Sequence, residues 1–234
     1  MANWATFVGL TGVVTLLLLA LSHASQTAIS EPDSDIDVEP TSGLLLVNVA
    51  LSQGVFLSLL LAAAWYTQIP RSALGVSGGS TGTAALGAGL AVGTALYVAS
   101  ELGGAVADRL DVEYDEGLRE LLAPDSPGGW AVLLGLVLPV IAVFEEVLFR
   151  AALIGAVAAG YGVSPWLLAV LSSILFALGH GAQGTSGIVV TGLLGFALAA
   201  AFIVTESLLV VVLAHYLVNA LEFLIHEGIG IEWL

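Results

Sequence analysis

The chain has no cysteine and no lysine, and its four basic residues are Arg71, Arg109, Arg119 and Arg150. Without cysteine there is no disulfide framework, no thiolate metal site and no cysteine nucleophile. Nineteen acidic side chains against four arginines give a formal net charge of −15, which argues against nucleic acid as a partner. Much of that acidity lies in one stretch, Glu31 to Glu39, "EPDSDIDVE". An acidic, lysine-free composition of this kind reads as halophilic and points to the cell membrane of a halophilic prokaryote. Charge of either sign is scarce, at 10% of 234 residues, whereas 58% are hydrophobic and the mean hydropathy is +1.03. A soluble domain of this length could not bury so much apolar side chain. The sequence therefore reads as an integral, multi-pass membrane protein.

Seven runs approach the roughly 20 apolar residues that a membrane-crossing helix needs. They are residues 4–22, 43–66, 83–101, 129–157, 165–181, 185–204 and 207–226. The first has no basic flank and no small-residue cleavage site, so it reads as a retained helix rather than a signal peptide. The fourth would be about 43 Å long if continuous, so it must tilt, overhang or break, and Pro139 is the expected kink. A break there adds an eighth short segment. Continuous apolar runs without alternation exclude a β-barrel. The expected fold class is all-α: a polytopic transmembrane helical bundle of seven to eight spans. Between runs three and four, Leu110, Val112, Leu118, Leu121 and Leu122 punctuate a charged segment at 108–129, the pattern of a short interfacial helix. The positive-inside rule favours an outside N-terminus, with Arg109 and Arg119 inside and Arg71 outside.

The fourth run carries "FEEVLFRAAL", two carboxylates and a guanidinium at bilayer depth, where each such group costs several kcal/mol and must be paired or functional. Glu146 and Arg150 are one helical turn apart and can form an (i, i+4) ion pair, which alone would be a structural clamp. Glu145 projects about 140° away from Arg150 around the axis and has no countercharge on its own helix. Two other runs add polar groups. His180 ends the fifth run one turn after Phe176, where a histidine commonly bonds the last carbonyls. His215 and Asn219 share one face of the seventh, where an asparagine alone would be helix-packing glue. Glu206, Glu222 and His226 read as solvated end residues, with Glu222 a second-line candidate because it shares a face with His215 and Asn219. An unpaired glutamate, two histidines and an asparagine in three apolar runs suggest one shared polar site.

The ordered patterns EExxxR (Glu145, Glu146, Arg150), FxxxH (Phe176, His180) and HxxxN (His215, Asn219) resemble the CPBP family of intramembrane proteases, which includes type II CAAX prenyl endopeptidases and bacteriocin-processing or self-immunity (Abi) proteins. The resemblance covers residues 128–226 as a catalytic core. Residues 1–127 form N-terminal helices and loops without motif support, and 227–234 a C-terminal tail. It implies hydrolysis of a peptide bond in a hydrophobic or lipidated protein or peptide substrate, among membrane lipids. In that chemistry Glu145 is the base that activates water, His180 holds or polarises the water, and His215 and Asn219 donate to the oxyanion. Glu146, Arg150 and Phe176 support them.

Two mechanisms stay open on these residues. The family is commonly labelled metalloprotease, and Glu145, His180 and His215 could form a two-histidine, one-carboxylate zinc site. The absence of HExxH and the placement of the histidines on different helices favour the form without a permanent metal. Alternative functions are a proton- or ion-coupled transporter, for which no paired broken helices are visible, and a non-catalytic immunity or scaffold protein.

Overall fold

Long stretches of Leu, Val and Ala without internal Gly/Pro pairs favour helices in which every backbone group is satisfied within its own segment. The computed structural model describes residues 1–30, 41–109 and 117–231, and among these there is no strand. The helices are α1 (Trp4–Ser30), α2 (Ser42–Tyr66), α3 (Thr83–Arg109), α4 (Gly117–Leu122), α5 (Pro127–Tyr161), α6 (Pro165–Gly179), α7 (Gly184–Thr205) and α8 (Leu208–Ile229). The chain is a polytopic all-α membrane protein. Six helices are long and apolar enough to cross a bilayer, and α6, at 15 residues, is a shorter seventh.

Differences from the expected boundaries have local causes. The first helix continues eight residues past the apolar run, to Ser30. The acidic stretch 31–40, and Leu110 and Val112 of the interfacial segment, lie outside the described residues. Between the end of α3 at Arg109 and the start of α5 at Pro127, the described helical part of that segment is α4, Gly117–Leu122. The C-terminal tail begins as helix, since α8 runs on in π form from Phe223 to Ile229.

Pro139 does not break α5. The residues just before it, Leu133–Val137, form a π-helical stretch. Proline removes one N–H and crowds the preceding turn, and a widened turn absorbs both without a break. A second π stretch, Val147–Ala156, immediately follows the two glutamates. The whole of α5 is thus one element with two register shifts, and it occupies the middle of the bundle: Phe144, Leu148, Phe149, Ala151, Ala152, Ile154 and Ala156 are almost fully buried.

Close helix contacts set the level of each polar group. α8 starts at Ser207, whose hydroxyl caps Val210 N–H (3.2 Å) and donates to the Ser80 carbonyl (2.6 Å). α3 packs closely along α8 because Gly93 has no Cβ; a Cβ there would lie 2.9 Å from Ala214 Cα. Ala214 adjoins His215, so this contact fixes the histidine's depth. On the other side of the bundle, Ser22 of α1 donates to the Gly179 carbonyl (2.6 Å) at the end of α6, next to His180.

Candidate functional site

α5 supplies Glu145, Glu146 and Arg150 from its buried middle. Arg150 Nη1 donates to Glu146 Oε1 at 2.9 Å, and its Nη2 donates to the Gly195 carbonyl of α7 at the same distance. Both residues are essentially inaccessible. The widened π turn does not prevent the (i, i+4) pair that the spacing implied.

α6 stops where Gly179, His180 and Gly181 meet, and a short 3-10 turn, Gly181–Gln183, leads into Gly184 at φ +71° and the start of α7. A helix end leaves carbonyls without intrahelical donors. His180 Nδ1 satisfies one by donating to the Phe176 carbonyl at 2.8 Å. That is the modest role expected of a helix-end histidine, but it leaves Nε2 free, and Nε2 lies 4.0 Å from Glu145 Oε1. Ser172 ties α6 to α5 by donating to the Phe149 carbonyl at 2.7 Å.

α8 brings His215 in from the opposite side. Its Nδ1 donates to Glu146 Oε1 at 2.7 Å, and its Nε2 lies 3.6 Å from Glu145 Oε2. The partners decide the tautomer, because a carbonyl and a carboxylate only accept. Each neutral histidine therefore carries its proton on Nδ1 and presents an Nε2 lone pair to Glu145. The Phe176 ring sits at the centre, 4.6 Å from the His180 ring, 6.1 Å from that of His215 and 5.0 Å from that of Phe149, with the Arg150 guanidinium 4.8 Å from its centroid.

The structure thus joins Glu145, Glu146, Arg150, Phe176, His180 and His215 across three helices. Asn219 lies one turn beyond His215, half-buried, and makes no hydrogen bond to this group among the described residues. Two features were not read from the sequence. Glu146 orients His215 as well as pairing with Arg150, and the Gly195 carbonyl takes the other end of the guanidinium. Counting both glutamates as ionised and both histidines as neutral, the cluster carries one net negative charge. Glu145 Oε2 is buried without a hydrogen-bond donor among the described residues. A buried acceptor in that state is a site for water or a substrate group.

The donor types are those of a metal site: two Nε2 lone pairs face one carboxylate, and each imidazole is held through Nδ1 by an acceptor, the usual support of a metal-bound histidine. The three ligand atoms are nevertheless splayed. The trio that brings one ligand atom each within 4.8 Å of the others, among the described residues, is Glu101, Glu222 and His226. There His226 Nε2 meets Glu101 Oε1 at 2.9 Å, Ser100 donates to Glu222 at 3.2 Å, and Arg119 of α4 pairs with Glu227 at 2.8 Å and Glu222 at 3.5 Å. Glu222 and His226, expected as solvated helix-end residues, are instead members of a partly buried network that joins α3, α4 and α8.

No curated protein and no solved structure matches the chain. Residues 127–221, from the start of α5 to the penultimate residue before Phe223, match the family model described as type II CAAX prenyl endopeptidase Rce1-like. This part of the chain, which holds all three motifs, is similar to the Rce1-like domain of type II CAAX prenyl endopeptidases.

Proposed function

We propose that the chain is an intramembrane endopeptidase that cleaves a peptide bond in a hydrophobic or lipidated membrane-associated protein. The observation that carries this reading is a buried carboxylate, Glu145, faced by Nε2 of two histidines from two other helices. Water held between Glu145 and His180 gives its proton to Glu145 as its oxygen attacks the peptide carbonyl. The carbonyl oxygen becomes an oxyanion, and the proton on Glu145 then passes to the leaving amine as the C–N bond breaks. His215 can donate to the oxyanion from Nε2 only when it carries a second proton. That imidazolium would lie between Glu145 and Glu146, and together with Arg150 the four groups sum to zero charge. Asn219, one turn on, supplies a neutral amide donor after a rotamer change.

A second reading rests on the two Nδ1–H tautomers. Glu145, His180 Nε2 and His215 Nε2 would hold a zinc ion, which when bound supplies a polarised water. In that form Glu146 and the Phe176 carbonyl keep their roles of orienting the imidazoles.

Incubating the purified protein in detergent with a farnesylated peptide ending in a CAAX sequence, and following the released tripeptide by mass spectrometry, tests the proposal. Cleavage lost in Glu145→Gln supports it. Proton-coupled uptake into proteoliposomes without cleavage of this or an unprenylated membrane peptide would overturn it in favour of transport.

A further inference from the structure

Well away from the motif cluster, the turn after α2 forms a groove of about 750 Å³ lined by Leu61, Ala64, Trp65, Tyr66, Gln68 and Arg71, among others. Its walls are preformed. Gln68, two residues past the end of α2, has φ +57°, a left-handed conformation unusual for a side chain of this size and one found at sites the surroundings hold fixed. Ile69 is buried behind it, the Thr67 carbonyl accepts Asn3 N–H at 2.8 Å, and the Gly75 carbonyl accepts Leu208 N–H at 3.0 Å. Gly75 (φ +71°) lies against Phe202 and Leu208, so the loop carrying Arg71 is clamped at both ends.

The chemistry of the groove is that of a membrane boundary. Trp65 is 82% and Tyr66 74% exposed at the end of a membrane-length helix, the position that amphipathic aromatic rings take at the headgroup level. Arg71 is exposed and forms no ion pair among the described residues, and no acidic residue lines the groove. The charge distribution along the chain singles out this end. Residues 67–82, 162–164 and 206–207, which connect the helices here, contain Arg71 and Glu206 as their charged side chains. All other acids except Glu145 and Glu146 belong to the α1–α2 and α3–α5 connections, the C-terminal part of α3, or the end of α8 and beyond. In a chain of net charge −15 an unpaired guanidinium beside an apolar groove and interfacial aromatics is complementary to one kind of occupant.

We propose that this groove binds the phosphate-bearing headgroup of an anionic membrane lipid at Arg71, with an acyl chain against Leu61 and Ile69. The inference is independent of any proteolytic activity. Trp65 provides the probe: fluorescence of the full chain in mixed micelles is titrated with brominated phosphatidylglycerol or brominated phosphatidylcholine, and the Trp65 contribution is isolated by difference from Trp65→Phe. Quenching by phosphatidylglycerol is expected at roughly fivefold lower lipid fraction than by phosphatidylcholine, the preference one interfacial arginine supplies. Arg71→Gln, an exposed substitution, should erase that preference, whereas Arg71→Lys should retain it in part. Equal quenching of the wild type by both lipids, or an undiminished preference in Arg71→Gln, would overturn the proposal. So would quenching by neither lipid, as expected of a groove filled by a second copy of the chain, or displacement of the lipid by millimolar inorganic phosphate.

Discussion

His215 Nδ1 and Glu146 Oε1, 69 positions apart in sequence, lie 2.7 Å from each other, and the same oxygen accepts Arg150 Nη1 at 2.9 Å. One buried carboxylate oxygen thus serves two helices and two donors. Its partner glutamate, one residue earlier, has neither. Adjacent identical side chains are therefore separated into an orienting group and a group free to meet water, and that separation makes their substitutions behave differently.

Glu146→Gln removes the charge opposite Arg150 and weakens the hold on His215. Stranding a buried guanidinium costs about 3–5 kcal/mol, so the melting temperature in detergent should fall sharply, as it should in Arg150→Ala. The folded fraction that remains is expected to lose activity by about 10- to 100-fold, the usual effect of removing a group that orients a functional histidine. Thermal unfolding by intrinsic fluorescence, with rates normalised to folded protein, separates the two effects.

Glu145→Gln should do the opposite. It removes a carboxylate with no countercharge of its own at bilayer depth, so folded yield and melting temperature should equal or exceed those of the wild type. Turnover should fall by a factor on the order of 10² to 10⁴, the range for a positioned general base. A stable, active Glu145→Gln beside an unstable, inactive Glu146→Gln would move the base to Glu146.

These contrasts show which relationships a linear sequence can reveal. The Glu146–Arg150 pair follows from helical spacing alone, and the hydrogen bond from His180 to Phe176 follows from a histidine four residues after a phenylalanine at a glycine-rich helix end. The membrane-length helices follow from hydropathy. The Glu146–His215 contact has no such local signature, because it depends on how α8 rotates against α5, which the Gly93–Ala214 approach helps to set. The Gly195 carbonyl is a backbone acceptor and leaves no polar residue to notice. Pro139 marks a local irregularity rather than an end: the helix runs through it, with π geometry at Leu133–Val137 just before the proline. The network of Glu101, Glu222 and His226 combines an ordinary helix-end motif with a residue 121 positions away, so composition could only suggest solvated ends.

Gly195 offers a test of the central ring. A Cβ at this position would lie 2.9 Å from Phe176 Cδ1 and 3.6 Å from Arg150 Nη2. Phe176 has little room to yield, being buried between Phe149, Arg150 and both histidines. Gly195→Ala is therefore expected to lower stability by about 1–3 kcal/mol, the usual cost of overpacking, and to reduce kcat more than KM because Arg150 and His215 shift together. Trimming the neighbour in Phe176→Leu/Gly195→Ala should return part of that stability relative to Gly195→Ala. Additive losses in this double-mutant cycle would show that the two side chains do not share the space.

Metal dependence decides between the two forms of the chemistry. If Glu145 activates water unaided, protein dialysed exhaustively against a chelator and returned to metal-free buffer should cleave peptide at an unchanged rate, and this is the outcome expected from the splayed ligand atoms. The network at Glu101, Glu222 and His226 complicates a bare metal count, because it could retain an ion with no part in catalysis. The measurement must therefore pair zinc content with activity in three variants, His180→Ala, His215→Ala and His226→Ala. Loss of about one zinc per chain in the first two and retention in the third, with zinc restoring activity to the dialysed wild type, would place a catalytic ion among Glu145, His180 and His215. Loss of zinc confined to His226→Ala, with activity intact, would identify the distant network as the metal site and leave Glu145 as the base.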